Sequence, residues 1–344
     1  MTRWMNAPHF EGNGTIGWRQ REVPDPGAGQ LLVQVAANAL CGSDRHQYLH
    51  GTDTVPGHEA TGTVIQAGPG TSIAVGTPGA IFLMDFCGEC RNCRMGKTDL
   101  CLAKRADMGF THDGGYGEYM VVSESIFFPV SPETSLVDAT LLLDVMGTGG
   151  HAIDRATLVH PDIQSVLVCG AGPIGLGVLA MAKTILGPDI PVFITDMVPY
   201  RLDLAVKLGG IPVNLATHDL GETLNAHDIP LVDVAVDTSG RSVARQAALG
   251  VLAKPGGLVC VGHGETITLD VSRDLISPEH AVLGSEYFPY ADMAANYERL
   301  QANPAYFRQI VTHVMDVESL AAAYEAFFGG NTGKVVVTHD IDLA

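Results

Sequence analysis

Residues 165–186, SVLVCGAGPIGLGVLAMAKTIL, decide the fold. They pass from a short apolar segment through a glycine-rich turn into a second apolar segment, with G-x-G-x-x-G spacing at Gly170, Gly172 and Gly175. The charge-free run 165–182 is long enough to suggest a transmembrane helix, but its glycines and its proline favour a strand, a turn and a helix. That order is typical of a dinucleotide-binding turn, in which a pyrophosphate meets the start of the helix.

An acidic residue completes this motif. Asp196 stands 21 residues after Gly175, at the end of the apolar run VFITD, where a carboxylate can accept hydrogen bonds from the adenosine ribose. The carboxylate would repel a 2′-phosphate, and Met197 and Val198 follow it without an arginine, so we predict NAD rather than NADP. The alternative for Asp196 is a simple turn residue at a strand end. The residues expected to contact the cofactor are Gly170, Gly172, Pro173, Ile174, Gly175 and Asp196.

Beyond this motif, short apolar strands continue to alternate with helical segments. We predict helices at 200–209 and 241–253 and strands at 232–237, 258–262 and 281–283. Alternation over this length indicates a doubly wound parallel sheet, the Rossmann fold. The tail contains two further predicted helices, 292–303 and 317–328, and a final strand, 334–338, which we expect to return to the first domain.

The N-terminal part has a different pattern. Alternating apolar runs at 31–39, 59–67, 81–84 and 116–122, separated by glycine and proline turns, predict a mainly antiparallel β domain with inserted loops. Residues 136–159 then read as helical apolar repeats that we expect to be interrupted at 147–150. The predicted fold class is therefore α/β, with a β-rich domain joined to a Rossmann domain.

Composition limits the function. The chain has 344 residues, 46% of them hydrophobic, which is enough for two globular domains. Its formal net charge of −18 argues against nucleic acid and anionic membrane surfaces as partners, because both select clusters of lysine and arginine. The N-terminal residues lack the apolar core of a signal peptide, so we expect a cytoplasmic protein.

Four cysteines form the sharpest local pattern. Cys87, Cys90, Cys93 and Cys101 follow the spacing C-x2-C-x2-C-x7-C on a short polar segment. Four thiolates so close in sequence can surround one zinc ion, and with no vacant position that ion would be structural. A disulfide framework would suit a small secreted domain instead. An iron–sulfur cluster begins with the same spacing, but its pattern closes with a fourth cysteine after three residues and then a proline.

The stretch 41–59, CGSDRHQYLHGTDTVPGHE, suggests a second metal site. Cys41 follows the predicted strand 31–39, and His58 lies near the end of the stretch. Thiolate and imidazole are ligands that zinc prefers, and a catalytic zinc needs three protein ligands and one open position. The third ligand must come from elsewhere in the chain. Taken alone, a packed cysteine at a strand end and a histidine in a turn are the alternative.

Several motifs together resemble one family. They are CGSD with His46, GHEATGTVIQAG at 57–68, the four-cysteine loop, GGYGEY at 114–119, GAGPIG at 170–175 and TGKVVV at 332–337. In this order, over nearly the whole chain, they resemble the zinc-dependent medium-chain alcohol dehydrogenases, and within them the polyol, sugar and secondary-alcohol branch. The resemblance implies a GroES-like catalytic domain at 1–145 and 288–344, carrying the structural-zinc loop 87–101, and a Rossmann NAD-binding domain at 146–287.

The resemblance also implies the ligands of the catalytic zinc. Cys41 and His58 match two of them, and the position of the third is occupied here by Asp144. A helix-surface acid is the alternative for Asp144. In the family, Glu59 is a neighbouring or exchangeable ligand, and Asp44 is the carboxylate that orients the zinc-bound histidine. The expected cofactors are thus two zinc ions per chain and NAD.

A mechanism follows from the same comparison. Zinc would lower the pKa of a substrate hydroxyl, and NAD would accept hydride from the adjoining carbon. Ser43 would take the proton and pass it through the cofactor ribose to His46, while Thr148 would lie against the nicotinamide. A surface histidine is the alternative for His46. Leu83 and Asp85 fall where the family lines its substrate pocket, and a carboxylate there would suit a hydroxylated substrate. A carboxylate that faces solvent is the alternative for Asp85.

Two functions of different classes remain open. The first is a zinc- and NAD-dependent oxidoreductase acting on a small secondary alcohol, polyol or sugar, reversibly to the ketone or lactone. The second is a non-catalytic NAD(H)-binding zinc protein with a sensor or structural role. Ser43 and His46 beside the zinc ligands favour the enzyme, because a binding protein needs neither. We expect the protein to form a homo-oligomer, either a dimer or a tetramer.

Overall fold

The computed structural model describes residues 3–339. Two large sheets organise the chain. The strands, in chain order, are β1 Arg3–Gly12, β2 Thr15–Val23, β3 Gln30–Ala39, β4 Glu59–Ala67, β5 Pro78–Ile81, β6 Met84–Asp85, β7 Ala106–Asp107, β8 Tyr119–Ser123, β9 Phe127–Pro129, β10 Val166–Cys169, β11 Val192–Asp196, β12 Ile211–Asn214, β13 Val232–Asp237, β14 Leu252–Cys260, β15 His280–Gly284, β16 Val311–Asp316 and β17 Lys334–Thr338.

Helices cover or connect these sheets. The α-helices are α1 Arg45–His50, α2 Arg91–Arg94, α3 Leu136–Ala139, α4 Gly149–Thr157, α5 Pro173–Ile185, α6 Pro199–Lys207, α7 Leu220–Ala226, α8 Ser242–Gly250, α9 Asp292–Ala302, α10 Pro304–Arg308 and α11 Leu320–Gly329. Within residues 3–339, none of them is both long and apolar enough to cross a bilayer. The charge-free run 165–182 is divided between β10, the glycine turn and α5, as the sequence predicts.

The first large sheet is parallel and has the strand order β12-β11-β10-β13-β14-β15. The chain moves outward in one direction from β10 to β12 and then returns to the other side of β10 with β13. This reversal creates the crevice at the carboxyl ends of the strands where doubly wound sheets bind their ligands. The sequence analysis missed β12 and α7, whose apolar runs are short, but its fold class is confirmed.

The second large sheet contains the order β16-β17-β3-β4-β5-β9, with β8 also paired to β3. Its core combines strands from the N-terminal part with two strands of the tail, since β17 pairs antiparallel with β3. The final strand thus returns to the first sheet. The domain boundaries at 145/146 and 287/288 remain predictions.

Residues 144–157 differ from the sequence expectation. The helical segment is not broken at 147–150, because a π-helical turn, Asp144–Thr148, continues directly into α4. The glycines there allow close packing. A Cβ at Gly147 would come within 2.1 Å of the Phe288 ring, and a Cβ at Gly149 would come within 2.8 Å of the Gly177 backbone. Glycine, a helix breaker in sequence analysis, here permits contact between elements.

The predicted strand at 116–122 also begins later, at Tyr119. Residues 114–117 form a turn instead, which places the Tyr116 ring in the interior of the β domain. The Gly57 backbone, whose φ is +96°, packs against this turn, and a Cβ at Gly57 would lie 2.9 Å from the Tyr116 nitrogen. Through the Tyr116 hydroxyl, this turn contacts Asp44, three residues after Cys41.

The glycine turn after β10 generates a stability prediction. A Cβ on Gly175 would meet the Gly170 carbonyl oxygen at 1.8 Å, whereas a Cβ on Gly172 would meet no protein atom within 4 Å. We expect Gly175→Ala to lower the free energy of unfolding by about 3 kcal/mol, because rigid backbone must move. The matched change Gly172→Ala should lower it by less than about 1 kcal/mol. Urea denaturation of the two variants gives the comparison, and equal losses would contradict the packing role of Gly175.

Candidate active site

Four candidate metal-binding side chains converge between the two sheets. A donor atom from each of Cys41, His58, Glu59 and Asp144 lies within 4.8 Å of the others. The first three meet because β3 and β4 pair antiparallel, with Ala39 opposite Glu59, so the residues just after β3 lie beside the start of β4. Asp144 reaches them from the π-helical turn. The structure thus brings together residues that are about 100 positions apart in the sequence.

His58 lies between two carboxylates. Its Nδ1 is 3.1 Å from Asp44 Oδ1, and its Nε2 is 3.4 Å from Asp144 Oδ2, with all three side chains buried. Burial alone would lower the pKa of His58, but the Asp44 charge and the hydrogen bonds with both carboxylates raise it well above its usual value. The pocket therefore favours a positive charge at His58, close to the place where a metal would accept the Nε2 lone pair.

Asp144 is held as an anion. Burial acts to raise its pKa, but the hydrogen bond and charge of His58 outweigh burial and lower the pKa below its ordinary value. The Thr148 hydroxyl, one turn later, donates to Asp144 Oδ1 at 3.3 Å. Thr148, which the family resemblance places against the nicotinamide, thus also fixes the orientation of the candidate third ligand.

The donor set fits a zinc ion. It offers one thiolate sulfur, one imidazole nitrogen and one carboxylate oxygen, which are the three ligand types that zinc uses. Burial, followed by the charge of Asp144, raises the pKa of the Cys41 thiol despite the opposing effects of His58 and Lys334, so a thiolate there needs additional positive charge. A divalent cation would balance one thiolate and one carboxylate. The chemistry of these residues therefore matches the predicted catalytic metal.

Asp44 is itself surrounded by hydrogen-bond donors. Its Oδ2 accepts from the hydroxyl of Tyr116 at 3.1 Å, from the hydroxyl of Tyr324 at 2.8 Å and from the backbone N–H of Cys41 at 3.2 Å. The sequence analysis quoted the GGYGEY motif but gave Tyr116 no role, and it missed Tyr324. A lone tyrosine on an apolar helix carries no local signal of such a contact.

Glu59 forms an ion pair with Lys334 from β17, and both side chains are fully buried. Burial acts to lower the pKa of Lys334, but the charges of Glu59, Cys41 and Asp144 raise it overall. Burial also raises the pKa of Glu59 to about 8, against the opposing effect of Lys334. Among residues 3–339, Glu59 Oε2 has no hydrogen-bond partner. Glu59 therefore lies next to the metal ligands with one oxygen held by the lysine and one oxygen free.

The four cysteines 87, 90, 93 and 101 form a compact tetrahedral group. Sulfur–sulfur distances are 3.5 Å for Cys90–Cys93 and Cys87–Cys101, 3.9 Å for Cys87–Cys93 and 4.0 Å for Cys90–Cys101. Four sulfurs around a zinc with bonds of about 2.3 Å would be about 3.8 Å apart. A disulfide needs about 2.05 Å, and an iron–sulfur cluster would separate the sulfurs with several atoms. The spacing fits one zinc.

Backbone amides support this group and neighbouring contacts anchor its loop. The N–H groups of Cys93 and Leu102 donate to the Cys90 sulfur at 3.5 and 3.4 Å and lower the pKa of its thiol to about 6. On the far side of the loop, the backbone N–H of Tyr290 donates to Thr98 Oγ1 at 2.7 Å. The loop is thereby tied to residues 285–291, which connect the parallel sheet to α9.

Asp85 is held by hydrogen bonds to neighbouring side chains. Its Oδ1 accepts from Arg105 at 2.6 Å and its Oδ2 accepts from the Ser123 hydroxyl at 2.7 Å. Leu83 is buried in the core. The Asp85 carboxylate therefore joins the base of the cysteine loop to β8, and the contact with a hydroxylated substrate considered from the sequence is not favoured.

The glycine turn leaves room for a cofactor at the crevice of the parallel sheet. Gly170 has a φ of +98°, which glycine adopts without strain, and it turns the chain sharply after β10. Gly172 caps α5 and faces open space, so a phosphate could approach its backbone closely. Pro173 and Ile174 then begin the helix. These positions have the arrangement expected of a pyrophosphate-binding turn.

Asp196 lies at the end of β11, beside this turn. Its Oδ2 accepts from the backbone N–H of Ala171 at 2.8 Å, and its Oδ1 accepts from Met197 and Val198 N–H at 2.7 and 3.0 Å. The carboxylate is partly exposed, and each oxygen retains acceptor capacity. Asp196 is thus more than a turn residue, since it joins the end of β11 to the glycine turn.

Ser43 and His46 lie close to the candidate ligands in sequence but on an exposed surface. Ser43 belongs to a short 3-10 turn after Cys41, and His46 lies in α1. The His46 ring stacks on His50 with a centroid distance of 4.4 Å. In the described part of the chain, no direct hydrogen bond joins Ser43 to His46, so a proton relay between them needs an intervening group.

The sequence analysis also missed a buried ion pair at the crevice. Arg245 Nε donates to Asp237 Oδ2 at 2.7 Å, and the same guanidinium donates to the carbonyls of Gly262 and Glu265. Asp237 Oδ1 accepts from the backbone N–H of Ser239 at 2.9 Å. The pair joins the loops that follow β13 and β14, both at the edge where the cofactor is expected.

The buried pair of Glu59 and Lys334 generates a prediction. We expect Lys334→Met to lower the free energy of unfolding by about 3–5 kcal/mol, because Glu59 would remain buried without its counter-charge. The double change Lys334→Met with Glu59→Leu should recover most of that loss, since it removes both charges. Chemical denaturation in the presence of a chelator gives both values. A double variant as unstable as the single variant would show that the pair acts in some other way.

Comparison with known proteins agrees with this geometry. Residues 27–132 match the family model of the alcohol dehydrogenase GroES-like domain, and residues 173–302 match that of the zinc-binding dehydrogenases. The L-threonine 3-dehydrogenase of Shewanella frigidimarina is 31% identical over 335 residues, which cover 92% of this chain and 94% of the relative.

Two solved structures are similar over their full lengths. One is a short chain alcohol dehydrogenase of Escherichia coli CFT073 complexed with NADH, with a TM-score of 0.88, 24% identity and coverage of 97% of this chain and 99% of the other. The second, from Sinorhizobium meliloti 1021 and assigned as a zinc-binding dehydrogenase, is bound to NADP, with a TM-score of 0.86, 25% identity and coverage of 98% and 99%. The resemblance inferred from the sequence is confirmed: this chain belongs to the zinc-dependent medium-chain alcohol dehydrogenase family.

Proposed function

We propose that the protein is an oxidoreductase that transfers hydride between NAD and a secondary alcohol, polyol or sugar hydroxyl, reversibly to the ketone or lactone. The observation that carries the proposal is the convergence of Cys41, His58 and Asp144 between the two sheets. These residues would hold a catalytic zinc, and Glu59 lies beside them. A protein that only binds NAD(H) does not need this buried donor set, with its excess of acids.

Zinc in this position supplies a Lewis acid for the substrate hydroxyl, and NAD supplies the hydride acceptor. The chain supplies orientation and proton transfer. Asp44 holds the Nδ1 side of His58, so that its Nε2 faces Asp144 and Cys41. Ser43 follows Cys41 by two residues and would take the substrate proton, and His46 would pass it to water. Both side chains are exposed enough to exchange protons with solvent.

The substrate class rests on chemistry and on one relative. L-Threonine carries a secondary hydroxyl at C3, and the L-threonine 3-dehydrogenase of Shewanella frigidimarina is 31% identical to this chain. We propose a small secondary alcohol of that kind, or a polyol or sugar. A screen of NAD reduction with L-threonine, butanediols, hexitols and aldonates would separate these substrates by their kcat/KM values.

A structural zinc, the compartment and the assembly complete the proposal. The second zinc would occupy the four cysteines 87, 90, 93 and 101. All seven cysteines of the chain are free thiols, which agrees with a reducing compartment such as the cytoplasm. We propose a homo-oligomer, a dimer or a tetramer, whose size light scattering would measure directly.

Metal content tests the catalytic site. We expect two zinc ions per chain in the purified protein and one in Cys41→Ser, with NAD reduction lowered by at least about a thousandfold, because the Lewis acid is worth several kcal/mol. Cys260→Ser is the matched control, since this cysteine lies in the parallel sheet, and it should keep both metals and most activity. Elemental analysis and steady-state kinetics give the two readouts. Two zinc ions retained in Cys41→Ser would rule out the proposed ligand set, and full activity with one zinc would favour the non-catalytic reading of this site.

The cofactor choice depends on Asp196. The negative charge should oppose the 2′-phosphate of NADP, so we expect kcat/KM to favour NAD over NADP by at least about a hundredfold. Asp196→Asn removes the charge and keeps one oxygen for the backbone amides. It should lower kcat/KM for NAD by about tenfold, since a hydrogen bond to a charged group is worth about 1.5–3 kcal/mol. It should also reduce the ratio of kcat/KM for NAD to kcat/KM for NADP, because the charge that opposes the 2′-phosphate is gone.

Asp203→Asn provides the control for this test, because Asp203 is an exposed acid on α6, the helix that follows Asp196. It should leave both kcat/KM values unchanged. A wild-type preference for NADP would overturn the assignment of Asp196, in line with the NADP-bound structure from Sinorhizobium meliloti.

A further inference from the structure

We infer that Tyr324 and Tyr116 are positioning residues that fix His58 for metal binding through Asp44. The inference rests on the proposed function, because it assumes that His58 binds the catalytic zinc. Neither tyrosine is near the zinc ligands in sequence, and Tyr324 comes from α11 in the tail. Helix α11 would thus fix the orientation of His58 through the Asp44 carboxylate, without touching the metal.

The three oxygen atoms lie at the corners of a closed triangle, and the two hydroxyl hydrogens make two of its three contacts hydrogen bonds at any one time. Tyr324 Oη lies 2.8 Å from Asp44 Oδ2 and 2.8 Å from Tyr116 Oη, and Tyr116 Oη lies 3.1 Å from the same Oδ2. Asp44, Tyr116 and Tyr324 are all fully buried, so water does not compete for these contacts. In such surroundings, linked hydrogen bonds strengthen one another, and an unpaired group is costly.

The two oxygens of the Asp44 carboxylate have different neighbours. Both tyrosine hydroxyls and the Cys41 N–H lie around Oδ2, whereas Oδ1 has no hydrogen-bond partner within residues 3–339 and lies 3.1 Å from His58 Nδ1. Oδ1 is therefore free to accept the Nδ1 proton of His58, which leaves the Nε2 lone pair toward Cys41 and Asp144. The triangle would select both the tautomer and the ring orientation of His58.

The hydroxyls also stabilise the negative charge of Asp44. Within residues 3–339, His58 is the only cationic side chain whose nitrogen lies within 4 Å of the Asp44 carboxylate. No arginine or lysine in that part of the chain shares the task. Without the hydroxyls, the buried carboxylate would depend on His58 and one backbone amide alone, and its orientation would be less restricted.

The ring of Tyr324 can be separated from its hydroxyl by mutation. The ring stacks on Tyr48 with a centroid distance of 5.0 Å and meets Phe10 edge-on at 5.4 Å. Tyr324→Phe would keep these aromatic contacts and remove only the hydroxyl. Tyr48→Phe is the matched control. It also removes a hydroxyl from this ring stack, but within residues 3–339 the Tyr48 hydroxyl makes no hydrogen bond to Asp44.

The experiment measures how fast zinc leaves each site of the zinc-loaded protein. A chelator in excess should remove the two metals in two phases, and Cys41→Ser, which lacks the catalytic metal, identifies the corresponding phase. We expect Tyr324→Phe and Tyr116→Phe each to accelerate that phase by about tenfold, the lower end of the usual effect of losing a partner of a metal ligand. The phase of the four cysteines should keep its wild-type rate, and Tyr48→Phe should change neither phase.

Two more readouts separate positioning from loss of packing. Cobalt substituted at the catalytic site should show shifted visible absorption bands in Tyr324→Phe but not in Tyr48→Phe. The acceleration of zinc release in the double variant Tyr116→Phe/Tyr324→Phe should differ from the product of the two single accelerations, because both hydroxyls contact the same oxygen of Asp44. Wild-type zinc release and an unchanged cobalt spectrum in Tyr324→Phe would overturn the inference, as would equal acceleration of both phases.

Failure of the proposed function would give a different result. If Cys41→Ser retained both zinc ions, the catalytic site itself would be wrong, whatever the tyrosine variants did. If Cys41→Ser lost one zinc while Tyr324→Phe released zinc at the wild-type rate, the proposed function would survive and only the positioning role would fall.

Discussion

The burial of several acidic groups around one histidine is the constraint on which the rest of the structure depends. Asp44, Asp144 and Glu59 are buried between two sheets beside the partly exposed Cys41 thiol, and removing several negative charges from water is expensive. Lys334 and the imidazole of His58 balance part of this negative charge, and the tyrosine hydroxyls stabilise the Asp44 carboxylate by hydrogen bonding. A divalent cation would complete the balance. The fold can therefore be understood as a means of bringing these groups together while keeping solvent away.

Close contact between the two sheets makes this enclosure possible. Small residues allow the π-helical turn and α4 to touch α5, since Gly177 lies against both the Val145 carbonyl and Gly149, and this contact places Asp144 opposite the β3–β4 pair. The cysteine loop adds a second attachment, since Thr98 receives a hydrogen bond from the backbone of Tyr290 between β15 and α9. The metal-binding residues and the nucleotide crevice thus belong to one continuous packed unit rather than to two independent parts.

The sequence predicted best those features that are local. The glycine turn and the four-cysteine loop depend on spacing over a few residues, and both adopt the expected arrangement. Asp144 could be assigned only through the family resemblance, because nothing near it in the chain marks a ligand. Tyr324 and Lys334 act across more than 270 positions, so no periodicity or motif connects them to Asp44 and Glu59. The glycines at 147–150 misled the prediction of a break, since packing against Phe288 decides their role and sequence alone does not show the neighbour.

The position of β17 in the sheet affects how the metal pocket forms during folding. Its pairing with β3, Val336 opposite Ala39, covers the end of a β3 edge whose first half is paired with β8. The same segment carries Lys334, which pairs with Glu59, and α11 just before it carries Tyr324, which contacts Asp44. Contacts between segments so far apart in sequence carry a large loop-closure entropy. The metal pocket therefore closes only when β17 and α11 have docked on the first sheet, which makes long-range assembly a condition for holding the ion.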